Sequence, residues 1–172
     1  MKGYADYGID RGIVFCHDAY LRDFDSGWFR AIAARLFSYY QFQYGYAYTK
    51  AFKKGPAYFP AGMTTSGYAS QAEREQTNRW FRRLSAVTVD NTASFRNMLR
   101  DVFPINFLSG DHLRRNMGSR TLKEWINSNP THGTLTNLNE EIWVWEIEKR
   151  QIAAIREAMT RENMLIAYDL SI

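Results

Sequence analysis

Asn137-Leu-Asn-Glu140 has the form of a helix capping box, and behind it Ile142, Trp145, Ile152, Ile155, Met159 and Ile166 return at helical spacing over about thirty residues. Glu146/Arg150 and Glu157/Arg161 stand four apart in the order that favours ion pairs along a helix. This is the strongest pattern in the chain, and it predicts one long C-terminal amphipathic helix. On that helix Trp143 would lie about 200° from Trp145, with Ile147, Gln151 and Ala154 roughly below it. Either that helix is buried on two sides or this second stripe meets another subunit; a small domain rarely covers both sides of a terminal helix, which favours Trp143 and Ile147 as subunit-contact residues.

Shorter helices are marked by their caps. Ser26 opens one with Phe29, Ile32, Ala33, Leu36 and Tyr40 on a single face. Ser70-Gln-Ala-Glu73 opens another through Trp80, Phe81 and Leu84, with Phe81 and Leu84 packing inward. Asn91 or Thr92 begins a third, carrying Phe95, Met98, Leu99 and Val102 and ending before Pro104. Ser109-Gly-Asp-His starts a short one up to Met117-Gly118, and Thr121-Leu-Lys-Glu124 another, closed by Asn129-Pro130. Gly55-Pro56 breaks the chain, and 60–67 reads as a loop. The expected fold class is therefore mainly α: several short helices plus the long C-terminal one, with an N-terminal arm over 1–25 and a single helical domain over 26–172. A chain of 172 residues is long enough to bury about 70% of its unfolded surface without staples. Cys16 is the lone cysteine, so no intrachain disulfide is expected.

Tyr40-Gln-Phe42-Gln-Tyr44-Gly-Tyr46-Ala-Tyr48 places an aromatic at every second position. The alternation fits a short strand over 40–48, and the same residues put Tyr40, Tyr44 and Tyr48 in one row of a continued helix. With no second strand in view to pair with it, the helix is the expectation.

Charge is distributed unevenly. Residues 1–25 sum to −2, 26–72 to +5, 73–136 to +4 and 137–172 to −3, which recovers the net +4. No acid occurs between Asp25 and Glu73, while Arg30, Arg35, Lys50, Lys53 and Lys54 lie there. Further along, Arg79-Trp-Phe-Arg82-Arg83 interleaves cations with aromatics, and its three arginines share one side of a helix. Cations beside flat rings suit an anionic partner with faces to stack on, so these eight residues with Tyr40, Tyr44 and Tyr48 form the expected nucleic-acid surface. Acidic and basic segments in one chain favour packing between copies.

Signs of catalysis are weak. Cys16-His17-Asp18 are adjacent, so their side chains diverge. His112 and His132 have no companions at metal-ligand spacing, and no glycine-rich phosphate loop follows a strand. No enzyme activity, metal or cofactor is expected. The longest charge-free run, Leu36–Thr49, is too short and too tyrosine-rich to cross a membrane. The first residues carry acids where a cleaved signal peptide carries bases and an apolar run, so a virion or intracellular location is favoured. In general build the expected helical chain resembles the small coat subunits of filamentous viruses, whose basic aromatic helix lies along nucleic acid. That resemblance implies a structural subunit that assembles with copies or sister subunits and packs against nucleic acid. An accessory subunit of a respiratory-type membrane complex is the alternative, and a small enzyme with an unrecognised site comes third.

Overall fold

The computed structural model describes residues 2–6, 12–16, 26–37, 39, 44–54, 59–60, 62–64, 67–86 and 97–168. In chain order these form β1 (Lys2–Asp6), β2 (Gly12–Cys16), α1 (Ser26–Phe37), β3 (Tyr44–Ala47), α2 (Gln71–Ala86), β4 (Ile105–Ser109), α3 (Gly110–Arg114), β5 (Asn116–Met117), β6 (Arg120–Thr121), α4 (Leu122–Asn127), β7 (Thr134–Asn137), β8 (Ile142–Glu146) and α5 (Ile152–Arg161). Single 3-10 turns occupy Phe52–Lys54, Pro130–His132 and Ile166–Tyr168. The fold is mixed α/β, not mainly α, and its largest sheet is antiparallel with the order β3-β4-β8-β7. The chain divides into two compact units, one drawn from Asp25–Tyr48 and Ala93–Leu165, the other from Met1–Phe24, Thr49–Thr92 and Ile166–Ile172.

The long C-terminal helix does not form. Its place is taken by β8 and by α5, which is only ten residues long. Asn139 explains where the helix fails to start. Its side-chain oxygen accepts from the backbone N–H groups of Glu141 and Ile142, both at 2.9 Å, so the expected capping box closes the β7–β8 connection instead. The run Ile142-Trp-Val-Trp-Glu is β-branched and aromatic, which suits a pleated strand, and it finds β4 on one side and β7 on the other. Glu146, expected to pair with Arg150, reaches Arg30 on α1 at 3.3 Å, while Arg150 pairs with Glu148 at 2.7 Å. Along a strand Trp143 and Trp145 share a face instead of standing 200° apart. Trp145 is fully buried, and its indole N–H donates to the His132 carbonyl at 2.8 Å. The resemblance to helical coat subunits rested on this helical build and falls with it.

The tyrosine alternation also resolves as a strand. Residues Tyr44–Ala47 pair with β4, Tyr44 opposite Leu108 and Ala47 opposite Ile105, so the continued helix is not formed there. Of the helix expected from Asn91 or Thr92, residues 91–96 lie outside the described residues. Its far end is not helical: Leu99 bridges to Leu165 in parallel, its N–H donating to the Met164 carbonyl at 3.0 Å. Where the signal was purely local, structure and expectation agree. Ser70 and Glu73 exchange both capping bonds, at 3.2 and 3.0 Å, and Thr121 and Glu124 do the same at 3.2 and 2.8 Å.

In the sheet unit α1 covers one face. Phe29, Ala33 and Phe37 lie against Ala47, Ile105, Phe107, Ile142 and Val144. The buried Ile105, Phe107, Ile142 and Val144 each contribute about 1.5–3 kcal/mol. Arg30 on the same helix donates to Thr136 and ion-pairs with Glu146, binding α1 to β7 and β8. In the other unit β1 and β2 form an antiparallel pair, Lys2 opposite Cys16, within the stretch expected as an arm. There α2 is tied to the last 3-10 turn, Gln76 donating to the Tyr168 hydroxyl at 2.9 Å and Arg79 to the Ala167 carbonyl at 3.0 Å. Among the described residues no helix is long and apolar enough to cross a membrane.

Phe107 is buried beneath α1 with its ring 6.0 Å from that of Phe37. Phe107→Ala should lower the unfolding free energy by about 3–5 kcal/mol in urea denaturation. A loss under about 1 kcal/mol would mean that α1 does not cover this face.

Candidate nucleic-acid interface

The expected surface is divided between the two units. Arg30, Arg35, Tyr44 and Tyr48 belong to the sheet unit, and Lys50, Lys53, Lys54, Arg79, Arg82 and Arg83 to the other. Tyr40 lies outside the described residues.

In the sheet unit the tyrosines are committed to internal partners. The Tyr44 hydroxyl accepts from the Arg100 backbone N–H at 3.1 Å, and the Tyr46 hydroxyl accepts from the Arg100 guanidinium at 2.6 Å. Tyr46 stacks on Phe103 with ring centroids 4.2 Å apart, and Tyr44 stacks on His112 at 5.4 Å. Tyr48, half-buried, leans on Tyr46 and Phe103 at 5.8 and 6.2 Å. Burial pushes the Tyr44 and Tyr46 phenols above their usual value. Neither Tyr46 nor Arg100 was visible as part of this cluster, because helical spacing leaves Tyr46 off the 40/44/48 row. Period-two alternation would have grouped Tyr44, Tyr46 and Tyr48. Arg30 is engaged with Glu146 and Thr136, whereas Arg35 is exposed.

The cluster continues into buried polar groups. The Ser109 hydroxyl and His112 Nδ1 are 2.8 Å apart, and burial holds the His112 imidazole down to about 4. Asp101 pairs with Arg156 at 2.7 Å, yet burial raises its carboxyl above the ordinary value. His132 lies flat on Trp125 at 3.7 Å. Cys16 ends β2, and His17 and Asp18 lie outside the described residues. Among the described residues no three His, Cys, Asp or Glu side chains gather as metal ligands would. Of the expected subunit-contact pair, Trp143 is half-buried with the Lys123 ammonium 5.6 Å over its ring, and Ile147 is buried. The helical stripe that would have joined them is absent.

The other unit holds a different balance. Residues 49–86 contain seven Lys and Arg against two Glu. Glu73, the acid that ends the acid-free window in sequence, folds back on it and pairs with Lys50 at 3.4 Å and Lys54 at 3.0 Å. The Ser70 N–H, with these lysines, holds its carboxyl down to about 2. Lys50 also sits 4.5 Å over the Phe59 ring. Arg79 is turned to the Ala167 carbonyl, and Arg83 lies on α2 with its side chain outside the description. Lys53 and Arg82 are exposed, the Lys53 ammonium 5.8 Å over the Tyr68 ring. Phe81 does not pack inward as expected. It is 49% exposed, with Tyr68 at 58% and Met63 at 48%. One unit thus exposes both cations and aromatic faces.

Comparison with known protein families, with curated proteins and with solved structures finds no match.

Removing only the hydroxyl in Tyr46→Phe leaves the Arg100 guanidinium without that acceptor, so stability should fall by about 1.5–3 kcal/mol while nucleic-acid affinity stays unchanged. Thermal denaturation and a binding titration on the same variant check both halves. His112 predicts a pH dependence. Its folded pKa, about 4, lies below the ordinary 6.5. The unfolded chain therefore takes up a proton that the folded chain refuses, and stability should drop as pH falls from 6.5 towards 4. Glu73, depressed from 4.5 to about 2, keeps its contribution above 4.5 and loses it only below. His112→Gln should flatten the upper part of the curve, measured by denaturant titration across that range, and an unchanged slope would contradict the assignment.

Proposed function

We propose that this chain is a non-enzymatic structural subunit that assembles with copies of itself or sister subunits and packs against nucleic acid, which lies on the basic surface around α2. One observation carries the reading: Lys53 and Arg82 stand exposed in the same unit as exposed Tyr68 and Phe81, within a stretch of seven basic and two acidic residues. Phosphates are drawn by such charge and positioned by it without sequence preference. Arg30 and the tyrosines of β3 serve the sheet unit, so this proposal moves the contact away from them. Self-association is supported by the uneven charge of the chain, +5 over 26–72 and −3 over 137–172, less what is spent within one copy by Arg30 on Glu146 and by Lys50 and Lys54 on Glu73. Light scattering should then give a mass above the 20.1 kDa of one chain.

Glu73 supplies the sharper test. Glu73→Gln keeps an acceptor for the Ser70 N–H but releases Lys50 and Lys54 from their ion pairs. Affinity for nucleic acid should rise, and the log–log salt slope should steepen by about one to two contacts. Stability should fall by about 1 kcal/mol or somewhat more, because these pairs are part-buried, with Lys50 only 10% exposed, and are lost together with the charge. A low-salt titration of the unmodified protein that stays flat for every nucleic acid would contradict the reading.

A further inference from the structure

Phe81 is exposed at its ring but fixed at its base. Gly62 lies buried against it with φ +74, and a Cβ there would come within 2.6 Å of Phe81 Cβ and 2.8 Å of its Cα. Only glycine allows the loop to approach the helix this closely and in this conformation. Next to Phe81 in sequence, Trp80 is anchored by its indole N–H, which donates to the Pro60 carbonyl at 2.7 Å. The loop thus clasps α2 around the backbone of Phe81 and leaves the ring turned to solvent, with exposed Met63 following Gly62. These contacts fix the backbone and Cβ of Phe81 and leave its ring accessible.

Tyr68 is the second exposed ring of the unit, and Lys53 brings a positive charge to it. Arg82 follows Phe81 directly and is exposed. Tyr68 therefore has a cation over its ring, and Arg82 stands exposed one position beyond Phe81 on α2, so that cations and aromatic faces are both offered, as stacked bases with their phosphates require. Bases inside a duplex are stacked on one another and offer their faces only when unpaired. We propose that Phe81 and Tyr68 are stacking platforms for unpaired bases, with Arg82 and Lys53 on the flanking phosphates, so that the nucleic acid bound by this unit is single-stranded. The inference rests on the reading that this unit meets nucleic acid, and it adds the strandedness of the ligand and the residues that select it.

The test compares a short oligothymidine with a duplex of equal length by fluorescence anisotropy at low salt. The unmodified protein should bind the single strand more tightly. Phe81→Leu and Tyr68→Leu, which keep apolar bulk but remove the π-face, should each weaken oligothymidine binding about fivefold or more and leave duplex binding unchanged. Phe81→Trp should restore affinity, and its emission should change on binding. Circular dichroism confirms that each variant is folded, and because Tyr68 lies in the loop preceding α2, its variant tests the proposal apart from any effect on that helix. Equal affinity for both ligands, unaltered by the leucine variants, would overturn the stacking inference while leaving the charge-based reading intact. Binding of neither ligand would overturn both. A change in the mass of the assembly by Phe81→Leu, at unchanged oligothymidine affinity, would make the patch a contact between copies and would likewise overturn it.

Discussion

The pairing of β4 with β8 at the centre of the sheet decides where the rest of the sheet unit goes. Phe107 stands opposite Val144 on one face, and Asn106 opposite Trp145 on the other. Because side chains alternate strictly along a strand, moving this register by one residue would exchange every inward group. Helix α1 needs the apolar face that holds Phe107 and Val144. Once that face is assigned, β3 must present Ala47 to α1 and turn Tyr44 and Tyr46 to the opposite side. There they meet Arg100 and His112, and the buried guanidinium gains a phenolic acceptor. The tyrosine row is thus spent on satisfying a buried charge, which would be costly if left alone.

Electrostatics in the other unit follow a similar economy. An acid-free window has no carboxylate of its own, but the first acid after it, Glu73, folds onto two of its lysines while capping α2. A single carboxylate therefore serves the helix terminus and the ion pairs together. Lys53, Arg82, Tyr68 and Phe81 are among the side chains that remain exposed in this unit. A functional surface is better read from cations and rings the fold leaves exposed than from their density along the chain.

The sequence was legible where the signal was short-range. The boxes Ser70/Glu73 and Thr121/Glu124 and the start at Ser26 depend on residues within one turn, and all three helices begin there. The C-terminal element misled because Ile142, Trp145, Ile152 and Ile155 fit a helical stripe, whereas the strand chosen in its place gains from β4 and β7, both distant in sequence or hidden behind a turn. The tyrosine alternation fits a helix as well as a strand for the same reason: its partner Ile105–Ser109 is a short apolar run with no periodicity to announce it. Of the site, the basic and aromatic composition was visible. The engagement of Lys50 and Lys54 by Glu73 was not, nor was the exposure of Phe81, against whose backbone a loop glycine nineteen positions earlier (Gly62 to Phe81) closes.

The central claim is that nucleic acid lies on the α2 unit and not on the tyrosines of the sheet. Photo-crosslinking of a single strand to the protein, followed by mass mapping of the modified peptides, tests it most directly. The account predicts adducts on peptides carrying Tyr68 and Phe81. Adducts confined to Tyr44–Tyr48, or none on a protein that binds the strand, would contradict it.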